Sequence, residues 1–168
     1  MKIPRIAWAA YGLALLVIVL DQASKIWMLQ GLSLREVGQV AVLPPMLNFS
    51  YVENTGVSFG LFGGGAARWA LSVFSIIVAG ALAWWALKAE RRTLIAAIGL
   101  VMGGAIGNAI DRIQYGYVVD FIDFSGTGVF PWVFNIADSA ITIGVALLIF
   151  DSVKSERKPG VGAVHEKA

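Results

Sequence analysis

Two aspartates stand out in this sequence because each is a single acid in apolar surroundings. Asp120 follows two valines and precedes Phe121, and Asp138 follows an alanine and precedes Ser139. Singly, each has an ordinary explanation as a loop acid or, for Asp138, as the cap of a helix. Together they indicate a pair. Two carboxylates held close cannot both ionise, so one keeps a proton while the other acts as a base.

A carboxylate pair of this kind supports aspartic proteolysis. The ionised carboxylate takes a proton from water, and the water attacks a peptide carbonyl. The protonated partner stabilises the oxyanion and then protonates the leaving amine. The sequence offers no alternative site built on a cysteine thiolate or on a Ser–His or Cys–His pair. The chain has no cysteine, and its single histidine, His165, lies in a polar tail. We therefore expect acid–base chemistry on water, with no metal and no other cofactor.

Polar side chains that suit such a pair lie at the end of an apolar, glycine-rich segment. Gly104, Asn108 and Arg112 recur every four residues, so they form one row on a helix face. An Asn and an Arg at the end of this row predict a surface that positions a substrate. A neighbouring stripe, with glycine at every fourth residue from Gly99 to Gly107, is better explained by close helix packing.

A second pair of charged residues, Asp21 and Lys25, lies four residues apart in the first apolar segment and can pair across one helical turn. One explanation is an intrahelical ion pair that offsets charge at an apolar helix end. The other is support for a site beside it. The sequence alone leaves both explanations open.

The elements that must hold these residues are membrane helices. The 168 residues are 58% hydrophobic and only 14% charged, whereas a soluble domain carries about 25% charge. Four apolar segments approach the roughly 20 residues that cross a bilayer as a helix. They are Ile6 to Leu29, Trp69 to Leu87, Thr93 to Ile110 and Phe134 to Phe150. The first has the charge pattern of a signal peptide but no small-residue cleavage site follows it, so we interpret it as an uncleaved span.

The distribution of charge orients these spans. Of the 13 Lys and Arg residues, most fall at the two termini and in the short loop between the second and third spans. The positive-inside bias therefore places both termini in the cytoplasm and the two longer connections outside. This puts Asp120 and Asp138 near the outer surface of the membrane. The net charge of +2 leaves no basic footprint for a nucleic acid.

We expect one transmembrane domain, residues 1–151, followed by a polar and disordered cytoplasmic tail, residues 152–168. The outer connections contain the other structured parts, within residues 30–68 and 112–133. Runs of β-branched and aromatic residues predict strands there, and a Gly-rich, uncharged stretch predicts a half-helix and loop in the membrane interface. The strands are Val37–Val42, Leu47–Val52 and Val118–Phe124, and the interfacial stretch is Val57–Ala67.

Together these segments resemble the lipoprotein signal peptidases, also called signal peptidase II. The resemblance covers nearly the whole chain and rests on five motifs in the same order at suitable spacing. They are Asp21-Gln22 with Ser24-Lys25, Asn54-Thr55-Gly56, Gly103-Gly104 through Gly107-Asn108 with Asp111-Arg112, Val118-Val119-Asp120-Phe121, and Phe134-Asn135-Ile136-Ala137-Asp138-Ser139. The chain departs from the family at Val57-Ser58, where two alanines are usual. That change bears on substrate preference rather than on the chemistry.

The resemblance implies an aspartic endopeptidase of the bacterial cytoplasmic membrane. Such an enzyme removes the signal peptide from diacylglyceryl-modified prolipoproteins, cutting just before the lipidated lipobox cysteine. The implied catalytic dyad is Asp120 and Asp138. The implied substrate-binding residues are Asn54, Asn108, Arg112 and Asn135, with Asp21, Lys25 and Gly56 in support.

The resemblance also implies an all-α membrane fold of four transmembrane helices, with a small extracytoplasmic β-cradle and an interfacial helix. The implied partners are the prolipoprotein substrate, membrane lipid and inhibitors of the globomycin type, which are cyclic peptides. We expect the chain to act as a monomer.

The main alternative is a proton-coupled small membrane transporter, because carboxylates within membranes also serve in proton relays. Transporters usually show internal repeats and helices broken at mid-membrane. This sequence shows no repeat, and its acids gather on one side. A non-catalytic scaffold is favoured less, because five polar motifs would lower its stability without benefit. Asp123, three residues from Asp120, is the rival for the catalytic position.

Overall fold

Long apolar helices dominate the structure, a computed structural model that describes residues 3–56 and 65–156. The helices are α1 (Arg5–Ile26), which continues as a π-helical segment (Trp27–Gly31), α2 (Leu34–Val37), α3 (Ala66–Ala86), α4 (Arg92–Gln114) and α5 (Ile136–Glu156). In the described part of the chain, α1 with its continuation, α3, α4 and α5 are long and apolar enough to cross a membrane. The prediction of four spans is confirmed.

The last helix is longer than the sequence suggested. We expected the fourth span to end at Phe150 and a disordered tail to begin at Ser152, but α5 continues to Glu156. Asp151 explains part of the difference. Its carboxylate is buried, and its Oδ2 forms an ion pair with Nη2 of Arg91 at 2.7 Å. This contact fixes the end of α5 against the start of α4. The remainder of the expected tail lies outside the described residues.

A small antiparallel sheet joins the helices at one end. Its strands follow one another in the order β1 (Gln39–Leu43), β2 (Leu47–Asn54), β3 (Val118–Asp123) and β4 (Val133–Phe134). Three strands were therefore predicted and the two-residue β4 was missed. Val37, which we placed in the first strand, ends the short helix α2 instead, because the following Gly38 takes a left-handed φ of 79° and turns the chain.

Helix α4 lies at the centre and packs against α1, α3 and α5. Its glycines permit close approach on two sides. A Cβ added at Gly103 would lie 2.7 Å from the carbonyl oxygen of Ala14 in α1, and one at Gly104 would overlap the carbonyl oxygen of Ala137 in α5. The glycine stripe is thus a packing surface, as predicted.

The outward faces of the other long helices carry large exposed apolar side chains, such as Leu15, Phe74 and Ile149. Such faces suit lipid, which has no polar groups to satisfy. Most of the predicted interfacial stretch, including Val57 and Ser58, lies outside the described residues. Its last two residues, Ala66 and Ala67, begin α3.

Candidate active site

The two aspartates lie on different elements that the fold brings together. Asp120 is the third residue of β3 and is buried, and Asp138 is the third residue of α5 and is half-buried. The amide of Asn135 connects them. Its Nδ2 donates to Asp120 Oδ1 at 2.7 Å, and its Oδ1 accepts the backbone N–H of Asp138 at 2.9 Å. The predicted pair is therefore juxtaposed around one side chain.

Asn135, rather than Asp138, caps helix α5. Its side-chain oxygen accepts the N–H of the third helical residue, as an N-cap asparagine does. The carboxylate of Asp138 is thereby left free of a capping role. It instead occupies the first turn, where the positive end of the helix dipole favours a negative charge.

Two further asparagines hold the carboxylates. Asn108 of α4 donates from Nδ2 to Asp138 Oδ1 at 2.7 Å. Asn54, at the end of β2, donates from Nδ2 to Asp120 Oδ2 at 3.0 Å, and its own Oδ1 accepts the backbone N–H of Gly56 at 2.9 Å. The structure thus gathers all three predicted asparagines around the two aspartates.

Gly56 and Arg112 line one side of this site. Gly56 has a φ of +77°, a left-handed conformation that favours glycine, and a Cβ there would lie 2.5 Å from the end of the Leu71 side chain. The same hypothetical Cβ would lie 3.5 Å from Nη2 of Arg112. Among the described residues, Arg112 Nε is the one buried side-chain nitrogen or oxygen without a hydrogen-bond partner. An unpaired donor beside two carboxylates is suited to a substrate acceptor.

Asp21 and Lys25 belong to a larger buried ion cluster, which we define as Asp21, Lys25 and Asp111. Lys25 Nζ lies 2.8 Å from Asp21 Oδ2 and 2.7 Å from Asp111 Oδ2. The side chains of all three are almost completely buried. The ion pair is therefore not only intrahelical, because Lys25 also connects α1 to α4.

The buried ion cluster contacts the backbone immediately before each aspartate of the pair. Asp111 Oδ2 accepts the N–H of Val119 at 3.0 Å, and Asp21 Oδ1 accepts the N–H of Ala137 at 2.9 Å. These contacts hold the end of α4 to β3 and the end of α1 to α5. Of the two explanations left open by the sequence, the structure favours support for the adjacent site.

Two members of this environment were not among the predicted site residues. Asp111 appeared only within a motif, and Gln22 donates to Asp111 Oδ1 at 2.8 Å. Asp111 lies three residues after Asn108, on the same helix face. It also carries the charge opposite to Lys25 at the same end of the bundle. Those two features are the sequence signals that identify it.

Asp123, the rival carboxylate, is occupied by structural contacts. It accepts the hydroxyl of Ser50 at 2.5 Å, the backbone N–H of Ser125 at 2.7 Å and the amide of Gln39 at 3.4 Å. Burial alone would raise the pKa of Asp123, but these hydrogen bonds outweigh burial and lower it. Asp123 is therefore an ionised acceptor within the sheet.

Asp120 has the opposite electrostatic environment. Burial, followed by the nearby charge of Asp138, raises the pKa of Asp120 to about 7, against the lowering effect of hydrogen bonds from Asn54 and Asn135. A carboxyl group with this pKa holds a proton through much of the range below neutrality. A protonated carboxylic acid next to a second carboxylate is the arrangement that aspartic proteolysis requires.

Comparisons with known proteins identify the family of this chain. The family model for signal peptidase (SPase) II matches residues 13–154. A lipoprotein signal peptidase from Caulobacter vibrioides is 52% identical over 158 residues, which cover 93% of each protein. Another from Shewanella loihica is 46% identical, over 89% of this chain and 88% of that protein.

A solved structure described as a bacterial membrane enzyme, determined by the in meso method, has the same fold. It superposes with a TM-score of 0.77 at 32% identity, over 93% of this chain and 94% of that one. None of these similarities supports the transporter alternative. The four membrane helices and the extended matches together show that this chain belongs to the signal peptidase II family of membrane proteases.

Proposed function

We propose that the chain is a membrane aspartic endopeptidase, with Asp120 and Asp138 as its catalytic dyad. It removes signal peptides from diacylglyceryl-modified prolipoproteins and cuts just before the lipidated lipobox cysteine. The family supports the substrate class. The observation that carries the catalytic assignment is the single Asn135 side chain that joins Asp120 Oδ1 to the backbone of Asp138.

In this proposal the two carboxyl groups have different tasks. Asp120 is the acid, because its pKa of about 7 keeps it protonated below neutrality. Asp138 is the base, and it draws a proton from the water that attacks the scissile carbonyl. Asp120 then stabilises the developing oxyanion and donates its proton to the leaving amine. The Asn108 amide, 2.7 Å from Asp138 Oδ1, holds the base in place.

The surrounding donors serve the substrate backbone. A signal peptide enters the site as an unwound segment. Its backbone carbonyls then lack helical partners, and leaving them without hydrogen bonds at membrane depth would cost free energy. Arg112 Nε is a buried donor with no partner in the described residues, and we assign it to a substrate carbonyl. Asn54 positions Asp120 through its hydrogen bond, and Gly56 borders the path of the substrate on the same side of the site as Arg112.

We further propose that the site faces the outer side of the bacterial cytoplasmic membrane, with both termini in the cytoplasm. The substrate then enters the site sideways from the bilayer. We also propose that the enzyme acts as a monomer, so that no second subunit blocks this entry. Globomycin-type cyclic peptides compete for the same space. A reporter fused after Lys158 is expected to report a cytoplasmic location. A reporter signal from outside the membrane would contradict this topology.

The test of function is cleavage by the purified full-length chain. A diacylglyceryl-modified precursor and the same precursor without lipid are incubated with it in detergent, and products are identified by mass spectrometry. We expect cleavage at one bond, which releases the signal peptide and leaves a lipoprotein that begins at the lipidated cysteine, and we expect globomycin to abolish this cleavage. Equal cleavage of the unlipidated precursor, or no cleavage of either, would refute the proposed substrate class.

A further inference from the structure

A polar cavity lies at the other end of the bundle from the dyad. It has a volume of about 420 Å³. Its lining consists of Arg91, Arg92, Thr93, Asp151, Lys154 and Ser155. Arg92 precedes Asn108 by 16 residues on α4, and Lys154 follows Asp138 by 16 residues on α5. At 1.5 Å per residue, each separation is about 24 Å, close to the thickness of the hydrocarbon core.

The cavity is basic. Three cationic side chains and one carboxylate line it, a net charge of +2. Asp151 is committed to Arg91, 2.7 Å away. In the part of the chain that the structure describes, no carboxylate lies within ion-pair distance of Arg92 or Lys154. The positive-inside bias explains basic residues at this membrane face, but it does not require them to converge on one concave space.

The start of α4 adds uncharged donors to the same cavity. Arg91 is the N-cap residue of α4, and among the residues that the structure describes no side chain caps this helix. The first backbone N–H groups of a helix have no intrahelical acceptor, and they attract anions. The hydroxyls of Thr93 and Ser155 line the same space. Guanidinium, ammonium, hydroxyl and helix N-terminal groups together are the donor set of a phosphate site.

Exposed apolar side chains on α5 are sequence neighbours of two lining residues, Asp151 and Lys154. On α5, Phe150 is 57% exposed and Val153 is 45% exposed. A free phosphate would gain nothing from these side chains, whereas acyl chains attached to a bound headgroup would contact them. We propose that this cavity binds the phosphodiester headgroup of an anionic phospholipid in the leaflet opposite the dyad, with Arg92 and Lys154 as the main cationic contacts.

The test measures retention of phosphatidylglycerol against phosphatidylcholine by the full-length protein in neutral detergent, with native mass spectrometry as the readout. Wild type is compared with R92Q/K154Q. The matched control is R5Q/K88Q, which removes two basic residues of the same membrane face that do not line the cavity. Circular dichroism and the thermal midpoint check that each variant is folded.

We expect wild type to retain phosphatidylglycerol selectively, and R92Q/K154Q to bind it on the order of 10-fold more weakly. R5Q/K88Q and the charge-conserving R92K/K154R are expected to resemble wild type. An equal loss in R5Q/K88Q would show diffuse attraction only and overturn the proposal. Displacement of the lipid by millimolar inorganic phosphate, or equal retention of both lipids by wild type, would overturn it as well.

Discussion

Asn135 donates from Nδ2 to the carboxylate of Asp120 at 2.7 Å while its Oδ1 accepts the backbone N–H of Asp138 at 2.9 Å. One amide therefore fixes the distance between a strand residue and the first turn of a helix. It leaves the Asp138 carboxylate available, because capping is done by its neighbour three residues before. The proposed dyad therefore depends on this side chain for its relative placement.

Asn135→Ala is expected to lower turnover on the order of 100-fold, because small misplacements of reacting groups are costly. It should also lose about 1 kcal/mol of stability with the cap. Turnover at saturating substrate and the thermal midpoint measure the two effects separately. Asn48→Ala is the matched control, since Asn48 lies in β2 away from the dyad. Wild-type turnover in Asn135→Ala would contradict the bridging role.

The pH profile depends on Asp120. Because its pKa is about 7, the acid form is present below that pH and is lost as pH rises through it. We expect kcat/KM to fall on the alkaline side with a limb near pH 7. The hydrogen bond from Asn54 favours the ionised form, so Asn54→Leu should raise the pKa and move the alkaline limb to higher pH. A limb that stays in place in Asn54→Leu would argue against Asp120 as the acid.

The buried ion cluster should be sensitive to loss of its cation. Lys25→Met leaves Asp21 and Asp111 buried without their partner, and breaking a buried pair costs about 3–5 kcal/mol. Adding Asp111→Asn removes one of the two unpaired charges and should restore part of the stability. Thermal unfolding in detergent reads both changes.

The control for Lys25→Met is Arg35→Met, which breaks an exposed ion pair with Glu53. Such a surface pair contributes about 0–1 kcal/mol. Equal destabilisation by Lys25→Met and Arg35→Met would show that the buried ion cluster contributes no more to the free energy of unfolding than an exposed ion pair does.

Gly104→Ala tests the close approach of α4 and α5. The new Cβ would overlap the carbonyl oxygen of Ala137, next to Asp138, and overpacking costs about 1–3 kcal/mol. We expect a lower thermal midpoint and weaker activity. Gly80→Ala, in α3, places a Cβ that meets no described atom within 4 Å, and it should be neutral or slightly stabilising. A fully active, fully stable Gly104→Ala would show that this contact is not required.

The sequence predicted well those features that follow from periodicity and composition. The spans, three strands and the packing role of Gly103 and Gly104 are of this kind, because apolar length, alternation and glycine spacing are local properties. Asn108 came from its spacing with Gly104 and Arg112, whereas Asn54 and Asn135 came from the resemblance alone, and the structure gathers all three. Asp111 was missed as a member of the site because its partner, Lys25, is 86 residues earlier in the chain.

Other differences depend on tertiary contacts that no local pattern reports. The extension of α5 to Glu156 follows the Arg91–Asp151 ion pair. The sequence favoured Asp120 for the dyad but kept Asp123, three residues away, as a rival. Asp120 and Asp123 both lie on β3 and are both buried. Their hydrogen-bond partners separate them, since Ser50 and Ser125 donate to Asp123 whereas Asn135 joins Asp120 to Asp138.

The most direct measurement is cleavage of a diacylglyceryl-modified precursor by Asp120→Asn, Asp138→Asn and Asp123→Asn, each purified from membranes and shown to be folded. We predict no detectable product from the first two variants. Asp123→Asn should retain turnover with a lower thermal midpoint, since that carboxylate accepts hydrogen bonds within the sheet. Full turnover by Asp120→Asn or Asp138→Asn, or an active Asp120→Asn beside an inactive Asp123→Asn, would contradict the assignment of the dyad.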